Sequence, residues 1–210
     1  MKLYEQRPKL VSNWLHEALL RIHEDLLTIH ASVDQWAGLY PDTLTSLEKM
    51  VLVLEDRRFM THAGIDLPSV ARELSKAILF RRHGGASTID MQFVRTITGY
   101  RDRKIARKLY EMLLTVLIQY RYSKIVILRS YLSRAFFGSH LKGSRKTSKL
   151  LFGCSEYELN LDQAAFIAAM LVYPRPLSGS PIWASRAQRR ANYGKRVYLA
   201  NKERFDKLPS

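Results

Sequence analysis

The sequence predicts an all-α fold. Apolar residues recur at steps of three and four almost throughout, no stretch sustains the alternation of a half-buried strand, and capping residues, Pro and Gly divide the chain into helix-length pieces. With 210 residues, 47% of them apolar and 25% charged, the chain can bury a sizeable core and is too rich in aliphatic side chains for a disordered polycation. The expected organisation is an N-terminal amphipathic helix and linker over 1–40, a main domain over 41–200 and a tail over 201–210.

Leu15, Leu19, Ile22, Leu26 and Ile29 share one face of the first helix, which can pack on the domain or on a partner. A turn at Gly38 to Asp42 precedes Thr45 and Glu48, a capping-box pair that starts a helix carrying Leu47, Met50, Val51 and Leu54 and ending near Glu55. Pro68 starts the next, with Val70, Ala71, Leu74 and Ile78 inward and Arg81 to Gly85 as its end. A loop is expected from Ala86 to Met91. Asp102 is a cap for a helix with a core stripe of Ile105, Leu109, Met112 and Val116, and Ser123 for one running from Lys124 to about Phe137, stopped by Gly138. Asn160 with Gln163 caps the Ala164 to Val172 helix, which Pro174 and Pro176 terminate, and Trp183 to Phe205 reads as a last, largely solvated helix.

The net charge is +15, and residues 72 to 149 hold 18 basic against 4 acidic side chains. A folded segment so unbalanced attracts nucleic acid, an anionic membrane surface or a phosphate-bearing substrate. Cys154 has no second cysteine to pair with and reads as a buried or half-buried thiol. No apolar run approaches the ~18–20 residues of a spanning helix, and the first residues lack the apolar stretch of a signal peptide, so neither anchor nor export signal is expected in this sequence.

Three features carry chemistry. Glu55 and Asp56 close an apolar helix just before Phe59, His62 and Gly64; a partly desolvated carboxylate there suits a general base, or equally an ion pair with Arg57 or Arg58. Gly84 and Gly85, followed by Ser87, Thr88, Gln92 and Arg95, form either an oxyanion-wrapping loop or a flexible linker. Arg103, Arg107 and Glu111, four apart, lie along one helix stripe, roughly opposite Ile105 and Leu109; they suit a diphosphate, or form a solvated face of weak ion pairs.

Taken together and in order, these features resemble the peptidoglycan glycosyltransferases of glycosyltransferase family 51, the module of bifunctional penicillin-binding proteins and monofunctional transglycosylases. The first motif of that family is complete in Glu55, Asp56, Phe59, His62 and Gly64. The second appears as Gly85, Ala86, Ser87, Thr88, Ile89, Asp90, Met91 and Gln92, then Arg95 and Thr96; the third is Arg107, Lys108 and Glu111. The fourth is Lys124, Ile127, Leu128, Tyr131, Leu132 and Ser133, and the last is Ala164, Ala165 and Ala168 with Pro174, Pro176 and Pro181. Met91, Thr96, Val126, Ser133 and Gln163 depart from the family's usual residues, and Arg95 stands for Lys while keeping the charge.

The resemblance implies a lysozyme-like helical lobe with a smaller, membrane-touching lobe between the first two motifs. It implies polymerisation of lipid II into glycan strands, with inversion and release of undecaprenyl diphosphate. Glu55 would be the general base. Glu111 would assist the leaving diphosphate, directly or through a divalent cation (Mg or Mn), and no other cofactor is implied. Arg95, Arg103 and Arg107 would supply charge, and His62, Ser87, Thr88, Gln92, Lys108 and Lys124 would line the sugar and phosphate path. The Pro68 to Arg82 stretch would meet an anionic bilayer or cap the core. Expected partners are lipid II, the growing strand, the membrane surface and a cell-wall synthesis protein on the 15–29 helix, at the extracytoplasmic (periplasmic) face of the inner membrane. The five departures suggest a weakened or inactive precursor-binding relative as the alternative. A basic nucleic-acid-binding protein ranks last, because no recognition-helix motif is present and nucleic acid is not an expected partner.

Overall fold

A computed structural model describes residues 9–33, 43–78, 87–100 and 104–208. The expected turn at Gly38 to Asp42, the end signal at Arg81 to Gly85, Ala86, Asp102 and Arg103 lie outside the described residues. The helices are α1 (Lys9–Ser32), α2 (Ser46–Glu55), α3 (Leu67–Ile78), α4 (Ile89–Thr98), α5 (Ile105–Gln119), α6 (Lys124–Arg134), α7 (Ser144–Phe152), α8 (Leu161–Ala169), α9 (Pro181–Ala200) and α10 (Lys202–Asp206). A 3-10 turn spans Phe59–Thr61, and a hairpin pairs β1 (Phe136–Gly138) with β2 (Leu141–Lys142) antiparallel. The fold is all-α apart from that hairpin, among the described residues.

Helix α2 is the central element. Leu47, Met50, Val51, Leu52 and Val53 are all buried, and the helix packs on α8 and α9. Its start is the expected capping box: Thr45 accepts from the Glu48 backbone N–H, and the Glu48 carboxylate accepts from the Thr45 N–H at 2.7 Å. The alanines of α8 let it approach α2 closely, and Gly194 of α9 does the same; a Cβ there would stand 2.9 Å from Met50 and Leu54 side-chain carbons. On the other side α4 lies between α6, α5 and α1.

The first helix divides along its length. Ile29 is buried and Ile22 and Leu26 are half-buried against the core, whereas Leu15 and Leu19 are exposed. On α3, Val70 is half-buried and Ala71 exposed, so the expected inward stripe does not hold at Ala71; the Leu74 and Ile78 side chains are outside the described set.

Several boundaries and faces differ from expectation. On α5, Ile105 is 80% and Leu109 60% exposed, and the inward face is Glu111, Leu114, Thr115 and Ile118. The apolar stripe of Ile105, Leu109 and Leu113 stays exposed, and the ion pair between Glu111 and Arg95 holds the more polar side inward. The helix predicted to reach Phe137 ends at Arg134, because the next backbone groups bond elsewhere: Arg175 N–H donates to Phe137 O and Gly143 N–H to Ala135 O. The loop expected through Met91 already turns into α4 at Ile89, with Thr88 accepting from the Met91 N–H. Helix α7 was not foreseen. The last helix begins at Pro181, breaks at Asn201, and buries Ala187, Ala191, Tyr198 and Phe205, so it is less solvated than predicted. Cys154 is half-buried.

Candidate active site

Glu55 is the last residue of α2, which brings its carboxylate from the core to the edge of a groove of about 410 Å³ that Asp56, Ser87 and Thr88 also line, with 10% of the side chain exposed. Its partner is neither Arg57 nor Arg58. Arg190 of α9 donates from Nη2 to Glu55 Oε1 at 2.9 Å and to the Leu54 carbonyl at 3.0 Å. Gln92 of α4 donates from Nε2 to Glu55 Oε2 at 3.4 Å, and the Gln92 carbonyl oxygen accepts from the Tyr131 hydroxyl at 2.7 Å. Burial, with the Glu55 charge adding to it, raises the Tyr131 hydroxyl above its ordinary pKa, so it remains a neutral donor to Gln92.

The second carboxylate, Glu111, is 5% exposed and sits between two guanidinium groups. Arg95 donates to both oxygens, from Nη2 to Oε1 at 2.7 Å and from Nε to Oε2 at 3.1 Å, a two-pronged contact that fixes the plane of the carboxylate. Arg107, one turn earlier on α5, donates to Oε2 as well. Arg95 also reaches the Ser87 hydroxyl at 3.3 Å within its own motif, and its hold on Glu111 places the end of the second motif beside the third. The Arg107 and Arg190 Nε–H groups are buried without a protein acceptor, so each carboxylate has an unspent donor close by. A divalent cation fits Glu111 poorly in this arrangement, because both oxygens already accept from arginine and the local charge is already positive.

Behind the groove lies a buried ionic cluster. Asp56 Oδ2 accepts from the Ile89 N–H at 3.2 Å and lies 3.0 Å from His62 Nε2. Lys124 donates to Asp90 Oδ2 at 2.8 Å, stands 3.4 Å from His62 Nδ1 and lies 4.5 Å above the Phe59 ring. Gln119 donates to Asp90 Oδ1 at 2.5 Å. Asp90 is fully buried; burial pushes its carboxyl up to about 6 although Lys124 pulls the other way. Asp56, His62 and Asp90 bring ligand atoms within 4.8 Å of one another, but the Lys124 ammonium already supplies the positive charge there. The cluster ties the first motif to α4 and α6. Gly64 adopts φ +85°, and a Cβ would stand 2.7 Å from Thr115 Cγ2, so the turn after His62 packs directly on α5; the Thr88 hydroxyl donates to the Gly64 carbonyl at 2.6 Å.

The structure thus brings Glu55, Gln92, Arg95, Ser87, Arg107 and Glu111 together along α4. His62 and Lys124 are turned into the buried cluster, Thr88 is spent as a helix cap, Lys108 is half-buried on α5, and Arg103 is outside the described residues. Arg190, Tyr131 and Asp90 were not singled out as site residues. Arg190 was hidden in a segment read as solvated, whereas Tyr131 and Asp90 were already inside quoted motifs. Among the departures, Gln163 completes a capping box with Asn160, a position where Glu and Gln serve alike. Met91 is buried in the core, Thr96 donates to the Gln92 carbonyl, and Ser133 donates to the Ser130 carbonyl.

Residues 23–197 match the family model described as Transglycosylase, and the chain belongs to that family. It is 30% identical over 182 residues to the biosynthetic peptidoglycan transglycosylase of Acinetobacter baylyi, covering 79% of this chain and 80% of that protein. It is also 36% identical over 133 residues to penicillin-binding protein 2a of Streptococcus pneumoniae, covering 63% of this chain and 18% of the relative. With penicillin-binding protein 1A of Clostridium tetani it shares 32% identity over 180 residues, covering 80% of this chain and 23% of the relative. The chain therefore spans about a fifth of the length of the penicillin-binding relatives it matches.

Proposed function

We propose that the protein is a peptidoglycan glycosyltransferase that joins lipid II units into glycan strands. The observation that carries this reading is the pair of carboxylates in unlike settings. Glu55 faces the groove with one guanidinium and an amide, while Glu111 is clamped between two guanidiniums. In the reaction the acceptor sugar's 4-hydroxyl attacks the donor's anomeric carbon from the face opposite the diphosphate. The new C–O bond forms as the anomeric C–O bond to phosphate breaks, the electron pair leaves on the diphosphate, and the hydroxyl proton passes to Glu55.

Arg95 and Arg107 stand where negative charge grows on the departing diphosphate, and Glu111 holds them in register until that charge takes their hydrogen bonds. Lys108, on the same helix, adds to the positive field. Gln92, oriented by Tyr131, fixes the Glu55 carboxylate. Glu55 and Glu111 act without a covalent intermediate, which agrees with inversion and leaves Cys154 outside the chemistry.

A lipid-tailed substrate requires work at a membrane surface on the extracytoplasmic side. Among the described residues no helix is long and apolar enough to cross a membrane. The direct test is incubation of the purified protein with lipid II in detergent or vesicles, reading glycan chains by gel. Polymer is the expected result, and folded protein without polymer would remove the reading.

A further inference from the structure

A second basic site lies away from the groove. A cavity of about 580 Å³ opens between the start of α2, the end of α6, β2 and the first turns of α7. Tyr131 faces α4 and Gln92, whereas Arg129, Leu132 and Ser133 line the cavity; Glu48 is two helical turns, about 10 Å, from Glu55 along α2. None of Glu55, Gln92, Arg95 or Glu111 lines it.

The charge of this cavity is one-sided. Lys142, Arg145, Lys146 and Lys149 stand on its rim with exposed side chains. Its two acids are already engaged: Glu48 accepts from the Thr45 N–H and from Arg129 at 2.7 Å, and Glu156 accepts from the Ser144 hydroxyl and lies 3.7 Å from Arg145. Among the described residues Lys142, Lys146 and Lys149 form no ion pair with a carboxylate, and Lys149 donates to the Gly153 carbonyl. Helix α7 starts at Gly143 without a side-chain cap or an acid in its first turn, and instead carries Arg145 and Lys146 there, where a cation opposes the helix dipole. Arg145 and Lys146 oppose the dipole at the helix start, and together with Lys142 and Lys149 they crowd one rim with like charge. An anion in the cavity relieves both.

We propose that this cavity binds a phosphate-bearing anion, either the headgroup of an anionic lipid or a free phosphate or diphosphate. It accounts for part of the positive excess in residues 72 to 149 that the reaction groove does not use. The site is independent of Glu55 and Glu111, so Glu55→Gln should bind the anion as the wild type does.

The test compares the full chain with a Lys142→Gln, Lys146→Gln, Lys149→Gln variant, whose exposed positions should leave folding intact, and with Lys146→Gln alone. Inorganic pyrophosphate is titrated while backbone amide resonances of residues 142–150 are followed, and flotation is measured with vesicles of phosphatidylglycerol or phosphatidylcholine. Pyrophosphate should shift the α7 amides of the wild type, with affinity falling roughly tenfold or more in the triple variant and less in the single one. If the source is a lipid headgroup, flotation with phosphatidylglycerol falls in the triple variant as well. If it is a free phosphate, flotation is unchanged while the amide shifts still depend on the lysines. No shift at α7 together with vesicle binding that ignores the three lysines would overturn the proposal.

Discussion

Gln92 and Arg95 stand three positions apart on α4 and hold different carboxylates, Gln92 that of Glu55 and Arg95 that of Glu111. Residues at this spacing share a helix face, so one helix sets the relation between the two acidic groups of the site. Anything that turns α4 moves both.

The clamp on Glu111 should respond to loss of its bidentate partner. Arg95→Ala leaves a buried carboxylate with Arg107 alone, and unfolding by urea should show a loss of about 1–3 kcal/mol together with a large fall in polymerisation. Arg95→Lys keeps the charge but not the fork, so it should recover most of the stability and only part of the activity.

Arg190, which belongs to none of the five motifs, reaches Glu55 from α9. Arg190→Ala should lower the turnover number more than it raises KM for lipid II, because the substitution frees the base while leaving the anion-binding arginines in place. Equal effects on both, or none, would mean that Arg190 only braces α9 against α2.

The Asp90 carboxyl is raised from 3.8 to about 6 in the folded chain. Between these values the folded state holds a proton that the unfolded state has released, so this contribution to stability is fully present below about 4 and is lost as pH rises through about 6. Asp90→Asn lacks the titration. The stability of the wild type relative to that variant should therefore fall by roughly 2–3 kcal/mol between pH 4 and pH 7, as read by urea unfolding at both.

Gln163 replaces a family Glu yet completes the same cap. Gln163→Glu should change stability by no more than about 0.5 kcal/mol, whereas Gln163→Ala should cost about 1 kcal/mol by thermal unfolding.

What was legible in the sequence follows from which interactions are local. The Thr45 and Asn160 capping boxes and the end of α2 at Glu55 depend on neighbours three or four residues away, and they stand where the sequence puts them, whereas the loop expected through Met91 already ends at Thr88. The face of α5 was not legible, because its apolar stripe stays exposed while the side carrying Glu111 and Thr115 turns inward; an ion pair from Glu111 to Arg95 on another helix decides its rotation. The β1–β2 hairpin was missed because its strands are three and two residues long, too short to show alternation. Arg190 could not be found by motif, because its role exists only once α9 packs on α2.

The most direct measurement of the central claim is glycan synthesis from lipid II by wild type and Glu55→Gln side by side, with thermal unfolding of both. Gln is the same size and still accepts a hydrogen bond from Arg190, so the fold should be unchanged while the rate falls by about 10²–10⁴. Wild-type protein that polymerises while Glu55→Gln does not would support the assignment; a Glu55→Gln variant that polymerises at the wild-type rate would contradict it.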